Sequence, residues 1–275
     1  MIQVVTSGAI MLGIAFFFGV TLALANRFLY VAEDPRIQEV EDRLPGTNCG
    51  ACGQPGCHAF AESLVAGDSL PGKCSVSSPE AVRSIAAFLG VDAGFEERRV
   101  ARLRCAGGRS AVRKIADYRG MSSCRAAIVI NGGGRACPWG CLGFGDCERA
   151  CTFGAIRMND EELPVVDVDL CTACGDCVDV CPLDLFVLEP ASPRALVQCS
   201  SPLAGDPART ACAVACDACG RCALDAPEGA IEMVNGLPLV RDATRATESC
   251  TFRCPTGAIQ WVVGNQFEPR GETDA

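Results

Sequence analysis

Histidine is almost missing from this 275-residue chain, which contains only His58. A chain with one histidine, set inside a cysteine-rich loop, offers no Cys/His or Ser/His/Asp arrangement for nucleophilic catalysis. His58 itself reads as a surface or packing residue, since a switch role needs a perturbing partner. Aromatic residues are also scarce, at 6% with two Trp and two Tyr, so a large aromatic core is excluded. There is no basic tract, and the net charge is −9. That balance argues against nucleic acid as a partner. No GxGxxG fingerprint opens a helix, so a nicotinamide site is not expected in this chain. Gly132-Gly133-Gly134 reads as a turn, not as a phosphate loop.

What the chain has in excess is cysteine, 21 in all. The count is odd and many cysteines lie two or three residues apart, a spacing that suits convergence on a metal better than pairing in disulfides.

Residues Ile2 to Ala25 carry no charge and would form a helix of about 36 Å, enough to cross a hydrocarbon core of about 30 Å. A signal peptide is the rival reading, with Ala23-Leu24-Ala25 as a small-residue cleavage site. The segment has no positive n-region and its apolar run exceeds the usual length. Arg27, Arg36 and Arg43 all follow it, which puts the bulk of the chain in the cytoplasm. Residues 1–26 are therefore expected to be a single-pass transmembrane helix.

Residues 27–90 read as a polar stalk followed by a small helical 4Fe-4S domain. Cys49, Cys52 and Cys57 lie on a glycine-rich loop, and a helix from His58 to Val65 returns the chain to Cys74 as a fourth thiolate. Zinc also accepts four thiolates, and spacing alone leaves that alternative open here.

After a connector at 91–130, residues 131–190 carry a dicluster pattern. Cys171-Thr172-Ala173-Cys174-Gly175-Asp176-Cys177-Val178-Asp179-Val180-Cys181-Pro182 matches the bacterial ferredoxin run C-x2-C-x2-C-x3-C-P at every position. In the preceding half, Cys141, Cys147 and Cys151 keep the spacing, but Phe144 stands at the second cysteine position and Thr152 replaces proline. Cys137 is the expected substitute. Crossed ligation then gives one cluster on Cys137, Cys141, Cys147 and Cys181, and another on Cys151, Cys171, Cys174 and Cys177. A hairpin is expected between the halves, through Asn159-Asp160.

The pattern recurs 75 residues later: Cys124, Cys137, Cys141 and Cys147 map onto Cys199, Cys212, Cys216 and Cys222. This reads as an internal duplication, with residues 191–265 a second, degenerate ferredoxin-like domain and 266–275 a frayed polar tail. Asn235-Gly236 marks its hairpin. Ala226, Thr244 and Thr247 replace cysteines, so the second unit keeps one cluster, on Cys216, Cys219, Cys222 and Cys254.

Sixteen cysteines are thus placed in four [4Fe-4S] sites, and Cys105, Cys124, Cys199, Cys212 and Cys250 are left over. Buried free thiols are one reading of these. A fifth site on Cys105, Cys124, Cys199 and Cys212 is the other, and the two differ in iron content, about 16 against about 20 per chain. The expected fold class is α+β: one transmembrane helix, a small helical cluster domain and two ferredoxin-like units.

The order of an N-terminal helix, Leu44–Cys57, Cys105-Ala106-Gly107-Gly108, Cys124-Arg125-Ala126-Ala127, Cys141–Cys151 and Cys199-Ser200-Ser201 resembles the B subunit of Rnf complexes, long form. These are ion-translocating ferredoxin:NAD oxidoreductases of bacterial membranes. The resemblance implies an electron-transfer subunit in the cytoplasmic membrane, with soluble ferredoxin and other membrane and flavin-bearing subunits as partners. The missing cysteines depart from the longer family pattern. A membrane-tethered zinc adaptor, or a related complex that reduces a regulator or supplies low-potential electrons, are the competing readings.

Overall fold

The computed structural model describes residues 2–29, 34–94 and 97–267. Helix α1 (Ile2–Leu29) has Phe16, Phe17, Phe18 and Leu22 exposed. Its Ile10–Phe28 stretch is long and apolar enough to cross a membrane.

The segment read as a stalk is instead a docked helix. α2 (Pro35–Glu41) is capped by the Asp34 carboxylate, which accepts from the Arg36 amide, and proline occupies its first turn. Ile37, Val40 and Leu44 fall on one face, and Val40 and Leu44 are buried against α3 (Cys57–Ala66) with Phe60, Ala61 and Leu64. Spacing of three and four residues makes that face, so a segment polar in composition still contributes to a core. α4 (Pro79–Leu89) completes the domain through Ile85, with Ser78 as its cap.

From residue 97 onward the chain builds two units of like order. In the first, β1 (Arg99–Leu103) pairs antiparallel with β4 (Phe186–Pro190), in the register Leu103↔Phe186. Between them lie α5 (Cys124–Val129), α6 (Asp146–Ala150), the hairpin of β2 (Ile156–Met158) and β3 (Pro164–Val166), and α7 (Asp176–Val180). In the second, β5 (Arg194–Val197) pairs with β8 (Ile259–Val262) and encloses α8 (Gly205–Ala211), α9 (Arg221–Asp225) and the hairpin of β6 (Ile231–Val234) and β7 (Leu237–Val240). Asn235 and Gly236 both take positive φ, as a tight type I′ turn requires. Among the described residues every sheet has two strands, and isolated two-stranded ribbons are marginal in water. The three glycines before Cys137 also take positive φ, and Gly134 packs so closely on the Ala116 carbonyl that a β-carbon has no room.

The C-terminal segment departs from expectation at its start. Gln266 is buried, its Nε2 donating to the Leu103 carbonyl (2.8 Å) while its Oε1 accepts from the Leu103 amide (2.9 Å). The Asn265 side-chain oxygen accepts from the Val168 amide (2.8 Å). Amide side chains that satisfy backbone groups are not signalled by local polarity, which is why this stretch reads as a tail. Residues 268–275 lie outside the described residues. Gln266→Ala should leave the Leu103 backbone without partners, costing on the order of 1–3 kcal/mol. Amide exchange at Leu103 checks this, with faster exchange expected in the variant.

Candidate metal centres

The first quartet is assembled by a loop that turns on residues of positive φ, Asn48, Gly50 and Gly53. The Asn48 side-chain oxygen accepts from the Cys57 amide (2.7 Å), tying the loop to the start of α3. Cys57 is buried and Cys52 and Cys74 pack beside it. Burial pushes the Cys52 thiol up, with Cys74 and Cys49 adding to the effect. His58 lies outside this group: it is exposed and its Nδ1 lies 2.7 Å from the Glu41 carboxylate.

A second group lines one small space: Cys151, Cys171, Cys174 and Cys177 with Ile156, Phe153 and Leu188. Ala173 takes a left-handed conformation between the first two cysteines of the trio. The Ala155 amide donates to Cys151 Sγ (3.3 Å) and the Ala101 amide faces Cys171 Sγ (3.5 Å). Burial pushes the Cys177 thiol up to about 12, reinforced by Cys171, Cys174, Cys147 and Cys151.

The third group differs from the spacing argument. Its space is lined by Cys124, Cys141, Cys147 and Cys181, with Leu103, Leu142, Met158 and Leu183. Cys124, not Cys137, occupies the place vacated by the second cysteine of the run. The reason lies in Asp146, whose carboxylate accepts from Ser123 Oγ (3.0 Å) and the Arg125 amide (3.3 Å) and so holds the start of α5 over the loop. Phe144 turns away to stack edge-on against Tyr118, while its backbone amide and that of Asp146 face the Cys124 sulfur. Burial pushes the Cys147 thiol up to about 12, with Cys124 and Cys181 contributing. A ligand seventeen residues before Cys141 leaves no spacing signal. The 75-residue mapping of Cys124 onto Cys199 is not kept in the structure: Cys124 opens α5, whereas Cys199 follows β5 as Cys105 follows β1.

Cys137 lies elsewhere, in a space shared with Cys105, Cys199 and Cys212. The four left-over cysteines suspected of a fifth site are therefore separated: three stay together, and Cys124 and Cys137 exchange places.

In the second unit, Cys222 feels Cys254 and Cys219, and Cys216 feels Cys222 and Cys254; burial is the main cause that pushes both thiols up to about 11. Ala218 repeats the left-handed conformation of Ala173. Ala195, Val197, Ile231, Ala246, Cys250 and Ile259 form one apolar cluster with Cys222. Cys250 is fully buried, with Thr247 Oγ1 at 3.7 Å.

Among the described residues, no three Cys, His, Asp or Glu side chains converge closely enough for a single metal ion. The quartets surround a space and not a point. Soft sulfur donors in fours, backed by aliphatic walls and backbone amides, fit an iron–sulfur cluster.

Comparison with known proteins agrees. Residues 44–76 match the family described as "Putative Fe-S cluster", and residues 164–185 match the "4Fe-4S binding domain" family. The chain is 38% identical over 267 residues to the B subunit of the proton-translocating ferredoxin:NAD(+) oxidoreductase complex of Clostridium ljungdahlii, covering 95% of this chain and 94% of that protein. The chain belongs to the Rnf B-subunit family. It is 36% identical over 243 residues to the B subunit of the Na(+)-translocating ferredoxin:NAD(+) oxidoreductase complex of Acetobacterium woodii, 88% of this chain and 73% of that one. It is 34% identical over 257 residues to the B subunit of the ion-translocating oxidoreductase complex of Methanosarcina acetivorans, 93% and 97% respectively. As a member of the Rnf B-subunit family it is an iron–sulfur electron-transfer component of an oxidoreductase complex.

The exchange of Cys124 and Cys137 is directly testable. Cys124→Ser should disturb the EPR signal of the cluster next to the Cys171–Cys177 centre and lower bound iron by up to about four per chain. Cys250→Ser should leave iron unchanged, as measured by iron analysis of the anaerobically purified protein.

Proposed function

We propose that this subunit carries electrons from reduced soluble ferredoxin toward the membrane and flavin-bearing subunits of an ion-translocating ferredoxin:NAD oxidoreductase complex. α1 is its single-pass anchor in the bacterial cytoplasmic membrane, and the cysteine-rich units lie on the cytoplasmic side. Four [4Fe-4S] clusters are held by Cys49, Cys52, Cys57 and Cys74; by Cys151, Cys171, Cys174 and Cys177; by Cys124, Cys141, Cys147 and Cys181; and by Cys216, Cys219, Cys222 and Cys254. Each cluster, when bound, supplies a one-electron redox centre.

The observation that supports a relay is adjacency. Ser75, next to Cys74, donates its hydroxyl to the carbonyl of Thr172, next to Cys171 (3.1 Å). Arg98 lines the same cleft as Cys74 and Ser75 and fixes the loop before Cys171 through the carbonyls of Val168 (2.7 Å) and Asp169 (2.8 Å). Cys177 in turn feels Cys147 of the neighbouring group. These residues hold the first three quartets side by side. Cys57, Cys147, Cys171, Cys177, Cys216 and Cys222 are buried, and amides such as Ala155 and Ala101 direct positive dipoles at the sulfurs, which tunes potential. The like order of elements in the two units supports an internal duplication, in which the second copy lost one centre to the apolar filling around Cys250.

In the assembled complex, Cys171→Ala should abolish the EPR signal of one cluster and reduce ferredoxin-driven NAD reduction to background. Full activity in that variant, or a colourless zinc-loaded wild type, contradicts the reading.

A further inference from the structure

Cys105, Cys137, Cys199 and Cys212 are 6%, 7%, 7% and 6% exposed. They come as two equivalent pairs, one member from each unit. Cys105 lies two residues past β1 and Cys199 two residues past β5, the opening strands of the two units. Cys137 and Cys212 each lie four residues before the leading cysteine of a ferredoxin run, Cys141 and Cys216.

The backbone brings the pairs together. The segment 111–114 runs between the units: the Arg113 amide donates to Ala211 (3.0 Å) and the Ala213 amide to Ala111 (2.9 Å), while the Ala136 amide donates to Arg113 (2.8 Å). Val112 thus bridges to Cys212, and Lys114 to Arg135 two residues before Cys137. The Ala106 amide donates to the Gln198 carbonyl (3.0 Å), which sets Cys105 beside Cys199.

The four cysteines line one small space, walled by Val112, Trp139 and Val214. It is similar in size to the spaces lined by the two ferredoxin-type quartets. Gly107 leaves the wall open: a β-carbon there would stand 3.1 Å from Cys212 Sγ and 3.5 Å from Cys105 Sγ. The Cys141 amide donates to Cys105 Sγ (3.2 Å), as the Ala155 amide does to Cys151 Sγ at the neighbouring centre (3.3 Å). Donor number, donor type, enclosing walls and amide contact therefore repeat those of the assigned centres.

We propose that Cys105, Cys137, Cys199 and Cys212 bind a fifth [4Fe-4S] cluster, shared between the two ferredoxin-like units. The inference rests on the iron–sulfur reading above for the nature of the metal group, while the ligand set rests on this geometry. The site stands between two others. Cys105 accepts from the backbone amide of Cys141 on one side, and Cys199 and Cys212 pack in one buried cluster with Cys216 on the other. It joins the Cys216–Cys254 centre to the rest of the relay.

Native mass spectrometry of the full detergent-solubilised chain, purified anaerobically, reads the cluster count directly. Five clusters and about 20 irons are expected for the wild type. Cys212→Ser should lose one cluster while retaining the others, and Cys250→Ser should retain all five. Four clusters in the wild type, or an unchanged count in Cys212→Ser, overturn the proposal. If Cys212→Ser does not fold, the wild-type count together with Gly107→Val, expected to lower occupancy of one cluster only, decides it. A protein without iron overturns the relay reading as well, whereas four clusters overturn only the fifth site.

Discussion

The fold depends on bringing cysteine thiols from distant segments around small spaces walled by aliphatic side chains. Burial alone drives these thiols toward their neutral form, and neighbouring thiols push in the same direction, as at Cys147 and Cys177. A metal cluster reverses that penalty by taking the sulfurs as thiolates, so metal binding and folding are one process. The rest of the architecture is consistent with such dependence. Its sheets have two strands each among the described residues, α6, α7 and α9 are five residues long, and cysteines sit within the apolar clusters. Short ribbons and single-turn helices do not supply a sufficient core without the group they surround.

Legibility of the sequence followed the locality of the interactions. The run from Cys171 to Cys181 is contiguous, and its first three cysteines line one space while Cys181 lines the next, the crossed arrangement that its spacing suggests. The hairpin at Asn235-Gly236 was equally plain, because positive φ at both positions is a local demand. Cys124 and Cys137 were interchangeable in the sequence because the choice is made at long range. Asp146 draws α5 over the loop, and the 111–114 segment carries Cys137 toward Cys212. α2 was hidden for a different reason: its buried stripe is only Ile37, Val40 and Leu44 among charged residues. Gln266 was misleading because a polar side chain can anchor a segment when the groups it meets are backbone amides and carbonyls.

The two units share an order of elements but differ in what fills them. In the first, both positions of the dicluster pattern are lined by cysteines. In the second, Ala226, Thr244 and Thr247 stand at cysteine positions, and an apolar cluster around the fully buried Cys250 occupies the volume. That cluster packs β5 against β8 through Ala195, Val197 and Ile259. The charge of the protein also takes on meaning. The bare chain carries −9, and each oxidised cluster with four thiolates adds about −2, so the loaded protein is strongly acidic.

Hydrogen exchange of the metal-loaded and chelator-stripped protein, compared segment by segment, tests most directly whether the thiol-lined spaces organise the fold. The account predicts that protection of β2, β3, β6 and β7 is present with iron and collapses when it is removed. Strand protection that survives complete removal of iron would contradict it.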